Sequence, residues 1–125
     1  MKITYYYSII SPFSYLGGER LKKIIDQYSI ELEEKPFDII GQIFPNTGGL
    51  PVPQRHPSRQ TYRLLEIERW GKELDMPINI KPKFFPPSDM HKAALFTLAA
   101  INQGNKISFG QSCLKSAQWN MKLSK

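Results

Sequence analysis

Apolar and polar positions alternate their period along this chain, and the changes mark its elements. Residues 2 to 10, Lys-Ile-Thr-Tyr-Tyr-Tyr-Ser-Ile-Ile, are rich in β-branched and aromatic types, as a buried central strand requires. Leu16, Leu21, Ile24, Ile25 and Tyr28 then recur at helical spacing, with Glu19, Arg20, Lys22, Lys23 and Asp26 opposite them, which predicts an amphipathic helix to about Tyr28. From Ile30 to Phe37 the pattern shortens again (Ile30 and Leu32 among Glu31, Glu33, Glu34 and Lys35) and reads as a second strand. Strand, helix and strand in succession imply a right-handed crossover between parallel strands.

From Gly41 to Pro53 the run Gly-Gln-Ile-Phe-Pro-Asn-Thr-Gly-Gly-Leu-Pro-Val-Pro has no period and reads as a loop, of a length that often binds ligands. Its Gly48-Gly49 pair lacks dinucleotide-fingerprint spacing and suits a tight turn or close backbone approach. Pro57 to Asp75 predicts the strongest helix, with Tyr62, Leu65, Ile67, Trp70 and Leu74 as its apolar face and Glu68–Lys72 as a supporting pair. Arg55, Arg59 and Arg63, four apart, line one face if that helix begins early enough. A solvated stripe explains them; attraction of a carboxylate-bearing ligand is the sharper alternative. Pro77 to Pro87 reads as an extended connector, followed by a helix from Ser88 or Asp89 that Gly104 stops. A last amphipathic stretch covers Ile107 to about Trp119.

Composition narrows the class. The 125 residues are 41% hydrophobic and 12% aromatic, which fits one globular domain. The net charge is +6, yet its lysines are dispersed, so no basic block points to nucleic acid. The single Cys113 excludes an internal disulfide, fits a reducing compartment and reads as a buried filler. His56 and His91 stand 35 residues apart without metal-ligand spacing, so no metal is expected. No signal-peptide pattern and no 18-residue apolar window occur, so the reading is cytoplasmic, with no membrane partner.

The junction Ser11-Pro12-Phe13-Ser14 carries the candidate chemistry. Proline suits a first helical position and Ser11 suits a cap. Free amides and the helix dipole there favour an anion, whether phosphate, carboxylate or thiolate. On the motif alone, an ordinary capped helix suffices.

Four segments in order resemble a known family: Tyr5 to Gly17; Ile43-Phe44-Pro45-Asn46-Thr47-Gly48-Gly49; Arg55-His56-Pro57 with Tyr62-Arg63-Leu64 and Glu68-Arg69-Trp70; and Phe84-Phe85-Pro86. Together they resemble the thioredoxin-like proteins of the disulfide-oxidoreductase A type, within them the 2-hydroxychromene-2-carboxylate isomerases and kappa-class glutathione transferases. The resemblance implies an α/β fold with a thioredoxin-like β-α-β start over residues 1–40, a loop and α-helical insertion over 41–120, and one DSBA-like domain over 1–125. It also implies an incomplete, truncated domain, lacking the usual C-terminal strands, cis-proline turn and helix. Redox relatives open the first helix with Cys-x-x-Cys; two serines here cannot exchange disulfides.

What the resemblance then implies is a hydroxyl fitted to another molecule's thiolate. Ser11 matches the family's catalytic serine, glutathione is the cofactor, and Ser11, Pro12 and Gly49 are its contacts. Gly49 stands where relatives often place an asparagine. The implied reaction is isomerisation of a small aromatic-derived carboxylate by thiolate addition, ring opening, rotation and elimination. A kappa-class-like transferase is the alternative, as is a non-catalytic fragment that folds only by pairing its open sheet edge with another chain. The resemblance leaves a homodimer open, since relatives are commonly dimers and an unpaired edge would encourage association.

Overall fold

The computed structural model describes residues 1–82 and 90–104. Strand β1 (Lys2–Tyr7) leads through Ser8–Ser11 into helix α1 (Pro12–Tyr28), and strand β2 (Glu31–Pro36) returns parallel to β1. Lys2 faces Glu31 and each later pair keeps that register, ending at Tyr7 and Pro36. Since side chains alternate across a strand, Ile3, Tyr5 and Tyr7 share the inner face with Leu32, Glu34 and Pro36.

The other face is not buried. Lys2, Thr4 and Tyr6 are exposed on it, and Lys2 and Lys35 both pair with Glu33, at 3.3 and 2.8 Å. β1 is therefore half-covered rather than the fully buried strand its composition predicts. Tyrosine tolerates this because its hydroxyl is content in water while its ring fills a pleated surface. The two salt-bridge partners draw the exposed Glu33 carboxyl down to about 2, Lys35 contributing most and Lys2 next.

Helix α1 ends at Ser29, a C-cap in the left-handed region at φ 49° whose N–H donates to Ile25 O. Its inward face supplies Tyr15 and Leu16, which join Tyr7, Ile9 and Ile10 in the core; Ile24 and Tyr28, of the same apolar period, remain exposed.

Beyond β2 the expected loop is instead a series of short helical turns. A π-helical turn (Ile39–Ile43) runs straight into α2 (Phe44–Thr47), and a 3-10 turn (Val52–Gln54) follows. Asp38 nucleates the first: its Oδ1 accepts from the N–H groups of Ile40 and Gly41 at 3.1 and 2.9 Å. An aspartate satisfying two orphan amides is a cap, and turns this short leave no periodicity to read.

Helix α3 (Pro57–Glu73) follows with His56 as its N-cap, and α4 (Met90–Asn102) completes the described chain, with Gly104 beyond its end. Glu68 and Lys72 form the predicted pair at 2.7 Å. The core side of α3 is narrower than its periodicity suggests: Ile67 is buried and Trp70 and Leu74 pack on the core, whereas Tyr62 and Leu65 are exposed. Gly71 allows the chain after α3 to fold back tightly, since a Cβ there would lie 2.6 Å from Ile78 Cγ2. That return brings Met76 and Ile78 onto the core and the Pro77 carbonyl to the Tyr15 hydroxyl, which donates to it at 2.9 Å. α4 lies along β2, with Ala94 and Thr97 buried. The connector's residues 83–89, the stretch from Ile107 to Trp119 and Cys113 lie outside the described residues.

Candidate functional site

A cleft of about 510 Å³ joins the start of α1 to the helical turns and α3. One wall is Ile10, Ser11, Pro12 and Phe13. Another is Ile39, Ile40 and Phe44 from the π turn and α2, and a third is Arg59, Tyr62, Arg63 and Glu66 from α3, with Arg55 beside them. Volume and lining, apolar walls with few polar groups, are those of a small-molecule site.

Ser11 is half-buried at the N-cap of α1, in an extended conformation (φ −78°, ψ 119°) that turns the chain from strand to helix. Its Oγ accepts from the Ser14 N–H at 3.3 Å, and its own N–H donates to Ser8 O at 3.0 Å. A hydroxyl that accepts one bond still has its proton to give. Pro12, at the first helical position, has no N–H; Ser14's is taken by Ser11; the Phe13 N–H is the amide that remains among the first three. The two hydroxyls of the motif part company here. Ser11 lines the cleft, whereas Ser14 does not and instead lies near the Tyr5 hydroxyl.

Beneath this helix start lies a buried polar group on the inner sheet face. Glu34 is 7% exposed; burial pushes its carboxyl up, partly offset by the Tyr7 hydroxyl. Burial also raises Tyr5, the nearby Glu34 charge adding to it and Ser14 opposing it. The Tyr5 and Tyr7 rings stack at 4.9 Å.

The arginines reach the cleft by two routes. Helix α3 starts at Pro57, so Arg55 precedes it, and the predicted single helical stripe consists only of Arg59 and Arg63. Arg55 joins them because its Nε donates to Leu50 O at 2.7 Å and its guanidinium lies over the Phe44 ring at 5.6 Å. Burial depresses Arg63, and the charge of Arg55 depresses it further. Of the three residues expected to contact a cofactor, Ser11 and Pro12 line the cleft; Gly49 does not, but packs behind it. A Cβ on Gly49 would overlap Phe44 Cδ1, so its hydrogen is what lets that ring take its place under Arg55.

Sequence reasoning does not place Ile39, Ile40, Phe44, Tyr62 or Glu66 in the cleft. By pattern alone Phe44 belongs to a loop and Tyr62 to a core face, and nothing in their spacing signals otherwise. His56, isolated in sequence, serves the start of α3, where its Nδ1 accepts from the Ser58 N–H at 3.3 Å and meets Ser58 Oγ at 2.8 Å. Among the described residues no three His, Cys, Asp or Glu side chains gather in a metal-binding group, and no helix is long and apolar enough to cross a membrane.

Comparison with known proteins places this architecture. The profile of the DSBA-like thioredoxin domain matches residues 2–112. A 2-hydroxychromene-2-carboxylate isomerase of Pseudomonas putida is 26% identical over 62% of this chain and 38% of its own. The glutathione S-transferase kappa 1 of Caenorhabditis elegans is 29% identical over 66% of this chain and 36% of its own. A Sphingobium xenophagum 2-hydroxychromene-2-carboxylate isomerase is 28% identical over 75% and 48%. The chain thus spans less than half the length of these relatives. A solved structure of a selenomethionine 2-hydroxychromene-2-carboxylate isomerase superposes with a TM-score of 0.52 over 93% of this chain and 72% of that one, at 19% identity, which shows a shared fold.

Proposed function

The chain belongs to the DSBA-like thioredoxin domain family, and from that premise we propose that it serves glutathione-dependent chemistry, with Ser11 as the catalytic residue. The observation that carries this reading is a serine hydroxyl capping α1 while facing an apolar cleft, in the segment where redox relatives carry a dithiol.

The cleft's donor set fits glutathione. Ser11 offers one O–H, α1 offers the Phe13 amide and the positive end of its dipole, and three arginines offer cations for carboxylates. When bound, glutathione supplies a nucleophilic sulfur that adds to an electrophilic substrate and, in an isomerisation, leaves again. Ser11 donates its proton toward that sulfur and so favours the thiolate. A hydrogen bond to a charged group is worth about 1.5–3 kcal/mol, or roughly one to two pKa units. Pro12 preorganises the helix start, and Phe13, Ile40 and Phe44 give the cleft apolar walls beside it.

Isomerisation of a 2-hydroxychromene-2-carboxylate-type substrate is the primary assignment, and a kappa-class-like transfer of glutathione is the second, favoured by the relative of that name. Both use Ser11 identically; turnover of a chromene acid without consumption of glutathione distinguishes the first. Thermal unfolding with and without millimolar glutathione tests the common premise. Binding at a hundredfold excess over the dissociation constant stabilises by about 2.7 kcal/mol. A rise in melting temperature that shrinks in Ser11→Ala is the expected outcome; a melt indifferent to glutathione overturns the proposal.

A further inference from the structure

Glu34 is the buried acid that the proposed reaction leaves unused. It is 7% exposed on the inner face of β2, and the parallel register sets it opposite Tyr5 of β1. Tyr5 senses its charge, and the Ser14 side chain, in the first turn of α1, lies near the Tyr5 hydroxyl. The Ser14 N–H in turn donates to Ser11 Oγ at 3.3 Å. One tyrosine and one serine thus separate this carboxyl from Ser11. The groups around Glu34 are uncharged, turned away or occupied. From β1 it meets Tyr5 and Tyr7, both neutral at neutral pH, and α1 carries no charged residue before Glu19. On its own strand Glu33 and Lys35 belong to the opposite face and pair with each other at 2.8 Å. Asp38, just past the strand, has its Oδ1 on the Ile40 and Gly41 amides. α4 lies along β2 with Ala94 and Thr97 buried, while its His91 and Lys92 are exposed.

We propose that Glu34 controls how well the start of α1 holds an anion: the neutral carboxyl leaves the helix dipole to an anion at Ser11, and the carboxylate opposes it. Two negative charges in a weakly polar interior disfavour one another. The effect is reciprocal, so an anion at Ser11 raises the proton affinity of Glu34 by the factor by which Glu34 ionisation weakens the anion. A fall in pH protonates Glu34 and removes the opposition; a rise restores it. That the anion is glutathione's thiolate, whose acidity Glu34 then sets without touching it, rests on the preceding reading; the charge coupling itself does not.

A charge or a thiol placed at position 11 tests this in the full chain without any ligand. Carbon NMR follows the titration of the Glu34 carboxyl in Ser11→Asp and in the uncharged Ser11→Asn. The Asp variant is expected to raise its proton affinity at least about threefold over the Asn variant, a readout that leaves Glu34 itself in place. The reciprocal arm alkylates Ser11→Cys with uncharged iodoacetamide across a range of pH, in a Cys113→Ser background, with and without Glu34→Gln. Above the pH at which Glu34 titrates, Glu34→Gln is expected to speed alkylation at least about threefold. It is also expected to remove the lower of two inflections in the rate profile. Equal Glu34 titrations in the Asp and Asn variants, or superimposable alkylation profiles with and without Glu34→Gln, overturn the proposal. Melting of the parent protein with glutathione separates the two readings. Charge coupling in a protein indifferent to glutathione supports the role of Glu34 and overturns the glutathione reading. A glutathione-dependent melt without charge coupling overturns the role of Glu34 alone.

Discussion

At Ser11 one oxygen accepts from the Ser14 N–H and carries the proton proposed for catalysis, so truncation removes a cap along with a donor. Loss of a serine cap costs about 1 kcal/mol, and Ser11→Ala is expected to lower the stability measured by chemical denaturation by that amount. Ser11→Asp separates the two roles. It keeps a capping acceptor but opposes a thiolate, so it is expected to retain stability while losing the melting shift given by glutathione. Gly49 acts at one remove, through Phe44. Gly49→Ala forces the ring aside; overpacking typically costs about 1–3 kcal/mol, and the displaced ring deprives Arg55 of its support. Scanning calorimetry of that variant should show a lower melting temperature than the parent protein. Of these features, the cap at Ser11 and a close approach at Gly49 are legible in the sequence, because proline, serine and glycine carry local backbone rules. That Gly49 approaches Phe44 is not, because it depends on how α2 turns.

At the scale of elements, β1, α1 and β2 follow the sequence periods closely, since each is long enough to repeat one. The turns from Ile39 to Gln54 escape such a reading because their order comes from Asp38 and from contacts, not from a period. Ser29 shows a similar local compromise: a left-handed backbone costs a non-glycine residue about 1–2 kcal/mol. Ser29→Gly is expected to raise stability by up to about 1 kcal/mol, measured by chemical denaturation. Two of the sheet's three glutamates, Glu33 and Glu34, respond to pH in opposite senses. Glu33, drawn down to about 2 from 4.5 by Lys35 and Lys2, stabilises the fold above its unfolded value. That contribution fades as pH falls from 4.5 toward 2, and salt screens it at this exposed site. Glu34, pushed up by burial, binds its proton more tightly when folded. Its favourable contribution is present below the unfolded value and is lost as pH rises through the folded one. Urea denaturation from about pH 4 upward is therefore expected to show a decline that Glu34→Gln flattens; an identical slope in both proteins contradicts it.

At the scale of the molecule, the described residues form a two-stranded sheet with helices about it. β1 pairs with β2 alone among those residues, and Ile24, Tyr28, Leu95 and Phe96 are exposed. Open strand edges and apolar side chains invite association. Sedimentation is expected to give a mass above the 14.4 kDa of one chain that rises with protein concentration; one-chain mass throughout contradicts it. The long-range arrangement of the cleft is the least legible feature. Arg55, Arg59 and Arg63 are visible as a spacing, yet what unites them with Ser11 is the packing of α3 and the preceding turn against α1, which no local pattern encodes.

The Tyr15 hydroxyl and the Pro77 carbonyl lie 62 positions apart in sequence yet 2.9 Å apart in space. Closing so long a loop is entropically costly and repaid only when its contacts form together. The cleft therefore has a history in time. During synthesis, α1 can coil and β2 can pair before α3 exists, but the walls meet only once residue 77 has emerged and docked. Ligand recognition is therefore acquired later than the strand–helix–strand start, and it depends on the bond between Tyr15 and Pro77.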